Sequence, residues 1–220
     1  IRDVSAIMRA APDEPAAFNV SLPSMRLDVP GAFAEPLAIT NVQIAGAIVS
    51  AERSVRFTHL TARAGEGTFN GSGRLYWADV GGRTHAGLEL QGAVDGALEA
   101  RDVLHMWPVG LGESARSYLA RTITGGRVTD ATVRINITPG DIADGALADD
   151  AVDVRFNVNN GAMQFVETMS PVTNARGSGV LRGNRFDMTI PEARFHGMAV
   201  TNGRIEAPQF KPRGAMATIS

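Results

Sequence analysis

Hydrophobic and polar residues alternate along most of this chain with a period of two, the spacing that sends successive side chains to opposite faces of a β-strand. Val133, Ile135 and Ile137 alternate with Arg134, Asn136 and Thr138, while Val152, Val154, Phe156 and Val158 alternate with Asp153, Arg155, Asn157 and Asn159. Shorter runs repeat the pattern at Met25, Leu27 and Val29, at Val55 and Phe57, at Leu88 and Leu90, and at Phe186, Met188 and Ile190. Each reads as a half-buried strand. Turn signals stand between them at Pro30-Gly31, Gly81-Gly82, Pro139-Gly140, Asn160-Gly161 and Gly183-Asn184. Asn160-Gly161 is the sharpest hairpin signal, because an Asn-Gly pair accepts the positive φ angles of a type I′ turn. An antiparallel meander is the natural topology.

The rhythm changes between Ala97 and Thr124, where Leu98, Val103, Leu104, Trp107, Leu111, Ala115, Tyr118, Leu119 and Ile123 fall near helical spacing. Pro108 lacks a backbone N–H and disfavours helix at Trp107. The segment therefore predicts two short helices, over about 99–106 and 112–124, with Gly125-Gly126 as the C-terminal stop.

An internal repeat connects the two ends of the chain. Thr40-Asn41 followed by Gly46 recurs as Thr173-Asn174 followed by Gly179; Ala62-Arg63 recurs as Ala193-Arg194, and Gly67 with Gly73 as Gly197 with Gly203. Self-similarity of this kind suggests units that bury their apolar faces only with help from their neighbours, although glycine-rich meanders also resemble one another through composition alone. The organisation read from it is a first β-repeat unit over 1–98, a helical insertion over 99–127 and a second β-repeat unit over 128–220, all segments of one continuous elongated domain.

Composition narrows the function classes. Hydrophobic residues make up 44% of the 220 and charged residues 20%, which is enough apolar surface to fold and too much charge for a membrane-embedded bundle. A net charge of −2, with arginines scattered from Arg2 to Arg213, offers no basic face for a nucleic acid. The absence of cysteine removes disulfides, thiolate metal sites and cysteine nucleophiles together. No run approaches the ~18 apolar residues of a membrane span, and Ile1 to Ala10 lack a signal-peptide core. A start at Ile1 rather than Met reads as a piece of something longer, with any anchor outside it.

Candidate chemistry is sparse. His59, His85, His105 and His196 have no partner at metal-ligand spacing. The acidic group Asp141, Asp144, Asp149, Asp150 and Asp153 does not follow the alternate-ligand spacing of a calcium loop and reads as a solvated loop. Gly65-x-Gly67 and Gly71-Ser72-Gly73 sit between strand-like runs, not at a strand-to-helix junction, so bulges suit them better than a phosphate loop. No G-x-S-x-G elbow occurs. The chain thus reads as non-catalytic, with no cofactor or metal. What remains is the apolar face of the sheet, which could be the core of an ordinary β-sandwich or the lining of an open groove for acyl chains.

Specific motifs then suggest a family. Leu104-His105-Met106-Trp107-Pro108, Arg116-Ser117-Tyr118-Leu119, Gly125-Gly126-Arg127-Val128 and Ala131, followed by Asp141 to Gly145, Val154-x-Phe156-x-Val158, Pro171-x-Thr173 and Gly197 to Gly203, resemble AsmA-like proteins of Gram-negative envelopes, in particular their YhdP-type branch. The resemblance is best over 104–206. Tyr118 stands where the family usually has tryptophan. The resemblance implies an extended, twisted antiparallel sheet forming an open groove from repeated β units, with one short helical hairpin near 99–124. It also implies a periplasmic location in a protein anchored to the inner membrane by a segment outside this chain, with outer-membrane components as partners. Phospholipid or another acyl-chain lipid would move along the groove between the membranes. Leu88, Leu90, Val133, Ile135, Ile137, Val152, Val154, Phe156, Val158, Phe186, Met188 and Ile190 are the expected lining. The alternative is a non-transporting envelope scaffold with a sandwich core.

Overall fold

The computed structural model describes residues 5–9, 14–28, 33–107, 113–145, 148–165, 168–183, 185–207 and 218–219. Twelve strands follow one another: β1 (Ser5–Arg9), β2 (Ala16–Leu27), β3 (Leu37–Val49), β4 (Ser54–Ala64), β5 (Gly67–Val80), β6 (Arg83–Glu99), β7 (Ile123–Ile137), β8 (Val152–Met163), β9 (Val172–Arg182), β10 (Arg185–Phe195), β11 (Met198–Ala207) and β12 (Thr218–Ile219). Their order in space is their order in sequence, all in one sheet with β1 and β12 at opposite edges, and every described pairing is antiparallel. A meander of this kind needs only short connections.

Helix α1 (Ala100–Met106) and helix α2 (Glu113–Thr122) form the predicted hairpin between β6 and β7. The stop differs from expectation, since α2 ends at Thr122 and the chain passes straight into β7 at Ile123, leaving Gly125 and Gly126 inside the strand. Pro139-Gly140 opens helix α3 (Pro139–Asp144) and is not a simple turn. Thr138 accepts a hydrogen bond from the Asp141 amide at 3.1 Å, and the Asp141 carboxylate accepts one from the Thr138 amide at 2.7 Å. This reciprocal capping box fixes the helix start. Gly81-Gly82 makes the β5–β6 turn and Gly183 begins the β9–β10 turn as predicted; Pro30-Gly31 lies outside the described residues.

Asn160-Gly161 is not a hairpin. Both residues lie within β8, and Gly161 pairs with Ala175 of β9. Only Asn160 has a positive φ, 51°. One left-handed residue produces a bulge, whereas a type I′ turn requires two.

The bulge belongs to a series. Asn41, Gly96, Asp130, Asn160, Asn174 and Asn202 all take positive φ within strands, and register shifts accompany several of them. Asn41 and Asn174 are equivalent positions of the sequence repeat, with φ of 51° and 53°. Structure extends the repeat further back: Phe18-Asn19-Val20 with Met25 in β2 corresponds to Phe156-Asn157-Val158 with Met163 in β8. Phe18 pairs with Gly46 as Phe156 pairs with Gly179. The repeated block is therefore β2–β5 followed by β8–β11.

No second sheet covers the first among the described residues, so the sandwich alternative does not describe them. Among the described residues no large side chain is fully buried. The tightest apolar cluster, Leu98, Ala100, Val128 and Ala131, sits where the helical hairpin leans on β6 and β7.

Candidate functional site: an uncovered apolar sheet face

Residues directly opposite one another on paired strands share a face of the sheet, so the register shows where the alternating residues point. Leu75, Leu88 and Ile137 form one row across β5, β6 and β7. Gly73, Leu90, Ile135 and Val152 form the next. A third runs from Leu60 through Gly71, Gly92, Val133, Val154 and Leu181 to Phe186. A fourth joins Phe156, Gly179, Met188 and Ile205. Val158 follows Phe156 by two residues and Ile190 follows Met188 by two, on the same side.

All twelve residues predicted to line a groove thus lie on one face. Val152 and Phe186 are buried; the other ten are half-buried. They are shielded by one another and by their own sheet, not by an opposing layer.

The face extends beyond the twelve predicted residues. Phe18, Val20, Ile44, Ile48, Val55, Phe57, Phe69 and Trp77 continue it through β2 to β5. The Phe18 and Phe57 rings meet edge-on at 6.5 Å, and the Phe156 and Phe186 rings stack at the same distance. Glycines pave the space between. A Cβ on Gly46, Gly71, Gly73, Gly92 or Gly177 would overlap a carbonyl oxygen of the adjacent strand. All five lie on the apolar side, so the neighbouring main chains leave no room for a side chain there.

The opposite face carries the charge. Asp153 accepts from Arg155 at 3.0 Å and from Arg182 at 2.9 Å; Arg74 donates to Glu89 at 2.7 Å while lying 4.5 Å from the Tyr76 ring centroid. Asp187 lies between Arg185 and Arg204. Hydrogen bonds from Arg155 first, and then from Arg182, hold the Asp153 carboxyl below its ordinary value against the opposing effect of burial. Arg185 does the same to Asp187. Ladders of paired charges suit a solvated outer surface.

The residues considered for other chemistry are dispersed. His59, His105 and His196 are exposed and His85 is half-buried; His59 meets the Thr61 hydroxyl at 2.9 Å and His196 the Ser170 hydroxyl at 3.4 Å. Asp141 is tied into the α3 capping box with Thr138 and Asp153 is engaged by two arginines, so the acidic group does not converge. Among the described residues no three His, Cys, Asp or Glu side chains gather as a metal site. A depression of about 530 Å³ includes Ser72, Gln91, Arg134 and Asp153 of the charged face. A second, of about 400 Å³, lies beside the helical hairpin. Among the described residues no helix is long and apolar enough to cross a membrane.

A family model described as YhdP protein matches residues 2–220. No curated protein and no solved structure matches the chain.

Proposed function

The chain belongs to the YhdP family, an AsmA-like family, and on that footing we propose that it is part of a bacterial envelope protein whose apolar sheet face carries phospholipid between the inner and outer membranes. The observation that carries this reading is the continuity of an uncovered apolar face across the strands, with ten of its twelve predicted lining residues only half-buried. A soluble domain has no reason to leave so much hydrocarbon without a covering layer unless something else covers it. An acyl chain does so at a gain of ~0.8 kcal/mol for each methylene withdrawn from water.

Such contacts are non-directional, and every position along the face offers a similar one. A lipid can therefore advance by exchanging one set of contacts for the next without breaking a specific bond. The paired charges on the other side keep that surface wet and define which side the lipid occupies. No bond is made or broken in this scheme, so the chain acts without catalytic residues. The polar headgroup travels at the open side while the membranes at either end supply and accept the lipid.

Site-specific photo-crosslinking tests the reading. A photoreactive residue at Val154, on the apolar face, captures phospholipid in cells, and the same residue at Arg155, on the charged face, does not. Equal labelling at both positions, or none at either, overturns it in favour of a scaffold role.

A further inference from the structure

The hairpin formed by α1 and α2 brings an unusual set of charges to the border of the apolar face. Most described arginines elsewhere are held in ion pairs, as Arg53, Arg56, Arg74, Arg127, Arg155, Arg182, Arg185 and Arg204 are. Arg101, Arg116 and Arg121 share with Arg26, Arg63, Arg83, Arg134, Arg176 and Arg194 the lack of an ion-pair partner among the described residues, but these three alone line the depression of about 400 Å³. His105, one helical turn after Arg101, lines it too. Glu35, from the link between β2 and β3, is the one carboxylate among the described lining residues, so among them three guanidinium groups meet a single opposing charge in a chain whose net charge is −2.

Among the described residues the Nε of Arg116 and that of Arg74 are buried without an acceptor, but Arg74 also donates to Glu89, whereas Arg116 has no hydrogen-bond or ion-pair partner among the described residues. Buried donors are nearly always satisfied, so an unpartnered one beside a cavity points to a missing acceptor. Apart from Thr124, the rest of the described lining is apolar. Leu104 is buried, and Ile123 also packs against the Leu98, Ala100, Val128 and Ala131 cluster. That cluster leads onto the sheet face directly, because Leu98 pairs with Val128 and Val128 with Val158. A ligand here would have its anionic part among the arginines and an apolar part pointing along the face.

We infer that this depression binds the phosphate of a lipid headgroup, with Arg101, Arg116 and Arg121 as its donors, and so forms a station on the lipid path where the headgroup is gripped while the acyl chains lie on the sheet. The inference rests on the lipid-carrying reading above and adds a headgroup requirement to it. Guanidinium groups suit the task because their planar donors match phosphate oxygens in pairs. Their separation between two helices also lets a phosphate be held without enclosing it.

Titration calorimetry of the whole chain with three probes tests this: dihexanoyl phosphatidic acid, dihexanoylglycerol with the same acyl chains and no phosphate, and inorganic phosphate. The phosphatidic acid binds about tenfold more tightly than the glycerol, as charge-assisted hydrogen bonds to a phosphate imply. Arg116→Gln removes most of that difference and leaves the glycerol affinity unchanged. Arg121→Gln, at an exposed position, provides the same reading if the change at Arg116 disturbs folding, which circular dichroism reports. Equal affinity for the two lipids, or an equal loss for both in the variants, overturns the headgroup site and leaves the lipid-carrying face standing. Inorganic phosphate bound as tightly as phosphatidic acid reassigns the arginines to free phosphate and likewise overturns the proposal. If neither lipid binds, the lipid-carrying reading falls as well.

Discussion

The ring of Phe156 lies across Gly179 on the adjoining strand, so close that a Cβ on Gly179 would stand 2.5 Å from the Phe156 Cζ. Phe18 and Gly46 repeat the relationship in the first half of the chain, where the corresponding distance is 3.0 Å. In each pair the aromatic ring covers bare backbone that no side chain of its own strand could cover. Placing the ring tip over glycine keeps the apolar face continuous. That property matters more to a surface over which a chain slides than to a core whose side chains interlock.

The first prediction concerns these glycines. Gly46→Ala places a methyl group into the Arg56 carbonyl, and main chain cannot move aside as a flexible side chain can. The variant loses about 1–3 kcal/mol of stability, the usual cost of overpacking, read as a lower urea midpoint. Gly81→Ala is a useful contrast, because its Cβ meets nothing within 4 Å and the cost comes only from its φ of 58°. It loses less.

The second concerns the left-handed asparagines. Asn174→Val forces a β-branched residue to φ near 53° and costs about 1–2 kcal/mol, while Asn174→Gly is close to neutral. The same pair of changes at Asn41 gives the same ordering in urea denaturation, since the two positions have the same conformation in equivalent strands. If Asn41→Val were harmless, the structural equivalence of the two blocks would fail.

How much of this was legible in the sequence depends on where the strands are regular. At Leu88 and Leu90, from Val133 to Ile137, from Val152 to Val158 and from Phe186 to Ile190, the period of two runs without interruption, and all twelve lining residues predicted from these runs share one face. In β3 the phase slips at Asn41, so Leu37 and Ile39 fall in step with Met25 and Leu27, whereas Val42 and Ile44 fall in step with Leu22 and Val20. A register change of that kind hides a strand from simple counting. Asn160-Gly161 misled for a related reason, because residue preference reports a willingness to adopt positive φ and does not say how many residues will do so. The arginine cluster was illegible altogether. Arg101, Arg116 and Arg121 are spread over two helices, and nothing in their spacing distinguishes them from the arginines that form ion pairs on the sheet.

A third prediction follows from Asp153. Its folded-state pKa is depressed, chiefly by Arg155 and then by Arg182, so its contribution is fully present above the ordinary aspartate value of 3.8 and is lost as pH falls below that value through the folded one. Thermal stability linked to this group is therefore flat from about pH 7 to pH 5 and drops below about pH 4. Because both arginines are more than half exposed, solvent screening limits the effect to about 1 kcal/mol. Melting curves of Asp153→Asn against the unaltered chain show a deficit at neutral pH that narrows as the pH falls below 3.8 and closes once the folded-state carboxylate is protonated as well.

A fourth prediction tests the cap of α3. Thr138→Ala removes the two hydrogen bonds of its hydroxyl, one accepted from the Asp141 amide and one donated to the Asp141 carboxylate, leaves the bond from the residue 138 amide in place, and costs about 1 kcal/mol. Pro139 still packs beside Gly87 and Tyr76, so the damage stays at the border of β5 and β6. Stability measured by urea falls, while lipid capture at Val154 is unchanged.

The last prediction concerns the heat capacity of unfolding, which scales with the apolar surface that folding removes from water. Compact domains give about 12–15 cal/mol/K per residue. Here no large side chain among the described residues is fully buried, and the apolar face has no covering layer, so less hydrocarbon is newly exposed when the chain unfolds. Scanning calorimetry gives a value below that range. Adding dihexanoyl phosphatidic acid changes the reference state, because unfolding then also strips the lipid from the sheet. The melting temperature rises with lipid concentration, by an amount equivalent to ~2.7 kcal/mol at a hundredfold excess over the dissociation constant, and the apparent heat capacity change increases towards the compact range. Ile135→Asn, in the middle of the apolar face, lowers the stability of the lipid-free chain modestly, since Ile135 is only half-buried. Its larger effect is on the lipid-dependent rise. A value within the compact range for the lipid-free chain, with no response to lipid, would mean that the apolar face is closed in solution, by the chain itself or by a second copy, and the open face would have to be abandoned.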